Sequence, residues 1–341
     1  MTLIGMLHNR KSPEKLKRAY ACAAVAKMDG ADFCYFSYRG VDLHAKIING
    51  WVHENGSWIK TKLNYPDVII NVSSPETPFQ KRVYKQLKQL IPFTRQAIGN
   101  KIEVYHKLFE DGKFNEYLIP TYPLISEADL LAYTEHTSSV VVKPVDGKYG
   151  KKVLFITKTP ESSFVIKSGP KTDILNLEPF RLFISRLASE KNYLYQPYIE
   201  CKTKYGLAYD IRIHVQKNGQ GEWEVNLIYP RVSGNGQLVS NIGSGGYRGE
   251  LEPFLQEQFT ENHLHLKQRL ESLAMNFPKY MDELYKKSFD ELGIDLGIDA
   301  ALKFWLFEVN TRPGARHREL DTAIRLVKYA KFLAEHNDEA S

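Results

Sequence analysis

The sequence predicts a mixed α/β (α+β) fold of two or three packed units. A chain of 341 residues is too long for one small core. Runs rich in Val, Ile, Phe and Tyr alternate with segments of helical period from end to end, so strands and helices interleave. No repeat, low-complexity tract or proline-rich linker breaks that alternation. The units fall at residues 1–92, 93–199 and 200–341.

In the first unit, residues 3–7 (LIGML) read as a strand, 13–28 as a helix and 33–38 (FCYFSY) as a second strand. Residues 44–60 alternate around two turn signals, Asn49-Gly50 and Asn55-Gly56, which predicts a hairpin or meander. A buried strand at 67–72 (DVIINV) precedes an amphipathic helix over 77–90. His8, Asn9 and Arg10 follow the first strand, at the edge where open α/β sheets bind ligands, but exposed loop polarity accounts for them equally well.

The second unit opens with a helix from Lys101 through Phe109, then the strand VVVKP at 140–144, a glycine-bearing loop and the strand VLFI at 153–156. A helix over 178–188 places Phe180, Phe183, Ile184 and Leu187 on one face. Residues 193–200 are extended, and Pro197 predicts a hinge there instead of a central strand. In the third unit, residues 210–216 put Ile211, Ile213 and Val215 on one face and Asp210, Arg212 and His214 on the other. Asn218-Gly219 turns that strand into residues 223–232, and a glycine-rich segment, 234–249, follows. Two helices are expected over 261–276 and 279–292, the second stopped by Gly293, and a final helix over 315–334.

Composition narrows the partners. The 46 Lys and Arg residues nearly balance 40 Asp and Glu, and the net charge of +6 is dispersed. Without a basic block or RNA-binding signature, anionic small ligands are the expected partners and nucleic acid is not. Cys22, Cys34 and Cys201 lack metal spacing and read as buried free thiols in a reducing compartment. No run suits a signal peptide or a bilayer span, so no membrane partner and a soluble cytoplasmic protein are expected.

The chemistry gathers at residues 304–314, FWLFEVNTRPG. Glu308 and Asn310 close an apolar strand and, two residues apart, share a face. Two buried oxygens there cost desolvation energy unless something pairs with them, and a hard cation such as magnesium is one partner. Asp295 and Asp299, in GIDLGID, offer further carboxylates. A turn cap or an arginine pair would also satisfy Glu308. Lys143 likewise ends an apolar strand, before a loop with Gly147 and Gly150 in which backbone N–H groups could approach phosphate. That loop lacks Walker A spacing, and 243–249 lacks the βα unit of a dinucleotide fingerprint. Flexible turns, a solvated Lys101, an exposed Asp210–Arg212 ion pair and an ordinary turn Asn241 remain open alternatives.

Taken in order, the phrases Asn100-Lys101 with Lys107-Leu108, V-V-K-P, R-x-S-x-x-G-x-x-x-x-N-I-G-S-G-G and F-E-V-N-T-R-P-G resemble the ATP-grasp superfamily of carboxylate–amine ligases, over about residues 93–320. Within it they are most similar to the YheC/YheD-type proteins, described as endospore coat-associated. The resemblance implies an ATP-grasp fold. A lid subdomain (93–199) and a metal-bearing subdomain (200–341) would grip ATP, behind a small α/β pre-ATP-grasp domain (1–92). It implies ATP with two magnesium ions held by Asp295, Glu308 and Asn310. Lys101 and Lys143 would contact the α- and β-phosphates under a lid carrying Gly147, Lys148 and Gly150. Gln196, Pro197, Tyr198 and Ile199 would read adenine, Glu200 the ribose, and Asp210 would border the nucleotide. Arg212, Arg231 and Lys143 would be the catalytic cations, and Asn241, Gly245, Arg312 and Arg316 would face substrate. The implied activity joins small-molecule or peptide carboxylates to amines through an acyl-phosphate, releasing ADP and phosphate. A phosphotransferase and a non-catalytic nucleotide-binding or coat protein are the alternatives. The resemblance adds spore-coat association and leaves the oligomeric state open, a homodimer included.

Overall fold

A computed structural model of the protein describes residues 1–147, 152–234 and 246–336. Parallel pairing starts the first sheet: β1 (Leu3–His8) crosses helix α1 (Lys17–Met28) to reach β2 (Asp32–Ser37). β3 (Val41–Asp42), β4 (Ile47–Glu54), β5 (Ser57–Asn64) and β6 (Val68–Asn71) complete it in the order β3-β4-β2-β1-β6, with β5 paired to β4. The β4–β5 hairpin turns at Asn55 and Gly56, whose φ values of 47° and 79° are those an Asn-Gly turn needs. The other expected turn, Asn49-Gly50, lies inside β4. A Cβ on Gly50 would sit 2.9 Å from the carbonyl oxygen of Tyr35, so this glycine permits close strand packing. α2 (Pro78–Leu90) opens with a capping box between Thr77 and Gln80.

α3 (Lys101–Asp111) is capped in the same way by Asn100 and Glu103. Then come β7 (Tyr122–Pro123), α4 (Glu127–His136), β8 (Ser139–Pro144), β9 (Leu154–Lys158), β10 (Phe164–Ser168), β11 (Lys171–Leu175), α5 (Leu177–Ser189) and β12 (Tyr193–Pro197). They build a second sheet, β11-β10-β9-β8-β12-β7, packed on α4 and α5 through Leu130, Phe180 and Ile184. The expected hinge is thus an inner strand. The Tyr198 N–H bonds to Ser139 O on β8, so the adjacent Pro197 turns its missing N–H to the other side. There β7 pairs only Leu194 and Tyr195, and no ladder bond is lost.

The third sheet holds β13 (Tyr209–Lys217), β14 (Trp223–Val232), β15 (Tyr247–Arg248), β16 (Glu291–Ile298) and β17 (Phe304–Asn310), all antiparallel, in the order β15-β14-β13-β16-β17. α6 (Leu251–Phe259) and α7 (His263–Tyr285) share its core. α7 is one helix where two were expected. It continues through Pro278 because Phe277, Pro278, Tyr280 and Met281 are buried, and that burial outweighs one lost helical bond. Residues 291–292 are strand, not helix, and Gly293 lies within β16. All eight β16 positions are buried, which hides the alternation that marks a strand.

α8 (Glu319–His336) starts four residues later than expected and returns to the first sheet. Its Ala323, Leu326, Val327 and Ala330 share a core with Ala19, Cys22, Val25 and Ala26 of α1. Likewise α3 gives Val104 and Leu108 to the core of the third sheet. The three cysteines are free and buried. Among the described residues no helix is long and apolar enough to cross a membrane.

Candidate functional site

Strand register builds the site. Asp210 on β13 faces Arg231 on β14, Arg212 faces Asp295 on β16, and Asp295 faces Glu308 on β17, so one face of the sheet carries a row of alternating charges. Arg212 donates from Nε to Asp295 Oδ1 and from Nη2 to Oδ2 at 2.9 Å. Arg231 donates to the two Asp210 oxygens at 2.6 and 2.5 Å and lies 3.0 Å from Asp295 Oδ2. Burial alone would favour a neutral Asp295, but the two guanidiniums hold it below the usual carboxylate range. Arg231 is kept protonated: the two carboxylates outweigh its desolvation. Gly293 makes room, because a Cβ there would meet Pro313 at 2.7 Å and Arg212 Nη1 at 3.1 Å.

This face opens on a cleft of about 870 Å³ that also takes in β8, β12, α3 and the loop after β6. Lys101, Lys143, Gly147, Gln196, Arg212, Arg231, Asp295, Glu308, Asn310, Arg312 and Arg316 all line it. Lys101, the first residue of α3, sits 3.3 Å from Glu308 and donates to the Gly147 carbonyl at 2.5 Å, bridging β17 to the loop after β8. Burial pushes the Lys143 ammonium down to about 8; Glu308 pulls it partly back and Lys101 opposes. An anion beside Lys143 favours its charged form. The affinity for a polyphosphate anion beside Lys143 should therefore fall about tenfold between pH 7 and pH 9. Titration calorimetry across that range checks this, with Lys143→Met expected to flatten the profile.

Other expected residues stand apart. Pro197, Tyr198 and Ile199 lie where β12 ends. Tyr198 packs edge-on against Phe155, Ile199 leans on the third-sheet core, and exposed Glu200 pairs with Lys202. Asp210 is engaged by Arg231 and does not line the cleft. Asp299 is no reserve ligand. It accepts from Ala301 N and Lys303 N at 2.9 Å and from Trp305 Nε1 at 2.7 Å, which ties it to the β16–β17 turn. His214 is buried 2.9 Å from Glu291 and does not line the cleft. Lys148, Gly150, Asn241 and Gly245 lie outside the described residues.

The cleft also contains Ser73, Ser74, Glu76 and Arg248, to which the sequence reading gave no role, and Asp146, the first residue of the expected lid loop. The first three follow β6, whose carboxyl end lies beside that of β1, so the edge rule applied to His8–Arg10 would have found them. Asn9 instead supports them, through Ser73 Oγ at 3.0 Å and Ser74 O at 3.1 Å.

The donor set suits a hard cation. Glu308 is about one-third exposed (33%), and Asn310 is half-buried beside it. Asp295 already accepts from arginines, but each carboxylate oxygen has a second lone pair to share. Among the described residues no three His, Cys, Asp or Glu side chains converge. The chain therefore offers two carboxylates and an amide, which phosphate oxygens and water would complete to six.

Comparison with known proteins gives the family and the fold. Residues 90–333 match the family model described as YheC/D like ATP-grasp. The chain is similar to endospore coat-associated protein YheD of Bacillus subtilis (strain 168), at 23% identity over 328 residues, covering 89% of this chain and 71% of that protein. In fold it is similar to D-cycloserine synthetase DcsG (TM-score 0.56, 14% identity, 98% of this chain and 99% of that one). It is also similar to the D-alanine-D-alanine ligase from Coxiella burnetii (TM-score 0.55, 11% identity, 100% of this chain and 98% of that one). With the family model spanning well over half the chain and the mixed α+β architecture in agreement, the protein belongs to the YheC/D-like ATP-grasp family.

Proposed function

We propose that the protein is an ATP-dependent ligase that joins a carboxylate to an amine through an acyl-phosphate, releasing ADP and phosphate. The observation that carries this reading is convergence. Two lysines, an acid–amide pair and two carboxylate-locked arginines meet in one cleft.

A carboxylate is a poor electrophile until it takes the γ-phosphoryl group, and that transfer crowds negative charge. Lys101 and Lys143 hold the phosphates, Lys101 giving up Glu308 to do so. Magnesium, held by Glu308, Asn310 and a shared Asp295, would neutralise phosphate charge when bound. Arg231, fixed by Asp210 and Asp295, stabilises the oxyanion when the amine attacks, and needs no reorganisation at that moment. Arg212 holds Asp295 in place. β8 pairs one edge of β12 through Pro197, while the other edge, beyond Tyr195 where β7 ends, meets no strand among the described residues, which suits the hydrogen-bonding edge of adenine. Water must be kept from the acyl-phosphate, which it would hydrolyse, and Lys101, bonded to the Gly147 carbonyl, narrows the cleft on that side.

Incubation with Mg-ATP, pooled amino acids and short peptides, and hydroxylamine tests this. Hydroxamate with equimolar ADP is expected. A stable phosphorylated acceptor would replace the ligase with a phosphotransferase, and tight ATP binding without turnover would remove catalysis altogether.

A further inference from the structure

Resting on the ligase reading, we infer that the acid substrate carries at least two carboxylates, one beyond the reacting group, held by an arginine rim of Arg248, Arg312, Arg316 and Arg318.

The argument begins with charge. Eight lysines and arginines line the cleft against four carboxylates, Glu76, Asp146, Asp295 and Glu308. Asp295 is taken by Arg212 and Arg231, and Glu308 by Lys101. Among the described residues, Arg248, Arg312 and Arg316 have no carboxylate within ion-pair distance. Arg318 has only Asp321, at 3.5 Å and largely exposed. The sequences of 148–151 and 235–245 contain no acid and add two lysines. Fully ionised ATP with two magnesium ions carries no net charge, so the nucleotide leaves this surplus standing.

The rim is held for binding. Arg312 donates to Ser74 Oγ in the loop after β6, and Arg318 to the Asn226 carbonyl at 3.2 Å. Arg248 lies 5.6 Å over the Tyr229 ring, opposite Arg231 in the β14–β15 ladder. Burial pulls both guanidiniums below their ordinary range, helped by Arg95 beside Arg312 and by Arg248 beside Arg318, while Asp290 offsets part of the fall at Arg312 and Asp321 part of it at Arg318. A guanidinium presents a planar fork that matches a carboxylate two bonds at a time. One reacting carboxylate could occupy only part of this rim.

The test measures binding and turnover separately. Protein loaded with magnesium and adenylyl-imidodiphosphate is titrated with monocarboxylic acids, small di- and tricarboxylic acids, and short oligoglutamate peptides. Di- or polyacids are expected to bind at least about tenfold more tightly than monoacids, and the two polyacid arms separate a metabolite from an acidic peptide. Arg316→Gln, at an exposed position without a partner among the described residues, should remove about tenfold of that preference, and Arg316→Lys should restore part of it. Equal binding of mono- and polyacids, or an unchanged preference in Arg316→Gln, overturns the inference. The two readings fail separately. Polyacid binding without hydroxamate keeps the rim and sinks the ligase, while hydroxamate from monoacids alone keeps the ligase and sinks the rim.

Discussion

Glu308→Gln should lower ATP-dependent turnover by about 10²–10³ or more while the protein stays folded. The substitution keeps size and shape but removes one full negative charge. A neutral amide oxygen is a poorer ligand for a hard cation, and Asp295, already shared with two arginines, has little charge to make up the loss. The fold is spared because, among the described residues, Glu308 has Lys101 as its ion-pair partner, at 3.3 Å and with a third of the Glu308 side chain exposed. Such a pair contributes at most about 1 kcal/mol. ADP release measured beside the thermal midpoint separates the two effects. Near-normal turnover in a folded variant would remove the metal assignment, and a collapsed midpoint would show that Glu308 serves the sheet.

That site was legible because its signal is local. Glu308, Asn310 and Lys143 are polar residues at the ends of apolar strands, and buried polarity needs a reason that one short stretch can display. The same holds for the β4–β5 turn at Asn55-Gly56 and for the caps at Thr77 and Asn100, where a few adjacent residues settle the geometry. What escaped depends on register or on distant chain. In sequence an exposed Asp210–Arg212 pair is one alternative, yet each is buried and finds its partner one strand over, in Arg231 and Asp295. The start of β16, residues 291–292, reads in sequence as the end of the preceding helix because burial on both faces erases alternation and Gly293 imitates a helix stop. Ser74 meets Arg312 across 238 positions of sequence. Neighbouring residues cannot announce a contact of that kind.

Register also created the joint whose loss should cost most. Glu291, the first residue of β16, is fully buried and reads in sequence as the polar face of a helix. Its Oε2 accepts from Arg95 and, at 3.1 Å, from Arg18 of α1, and its Oε1 lies 2.9 Å from His214 Nε2 on β13. One carboxylate thus ties the first unit, the segment before α3 and the third sheet together. Among the described residues Glu291→Gln leaves Arg95 with Asp290 and Arg18 with no carboxylate in ion-pair contact, so about 3–5 kcal/mol of stability should be lost in chemical denaturation at neutral pH. The sign with pH follows from the same contacts. Burial would raise the Glu291 pKa, but Arg18 and Arg95 bring it far below the ordinary value. Its stabilisation is therefore complete above the unfolded-state pKa of about 4.3 and disappears as pH falls toward the folded value. Asp290 opposes this, since burial raises its pKa despite Arg95. The gap between wild type and Glu291→Gln should accordingly be widest near pH 7 and shrink in acid. A loss below about 1 kcal/mol at pH 7, or a gap that does not narrow on acidification, would show that the arginines find other partners. Glu291 does not line the cleft, so the folded fraction of the variant should keep far more turnover than Glu308→Gln.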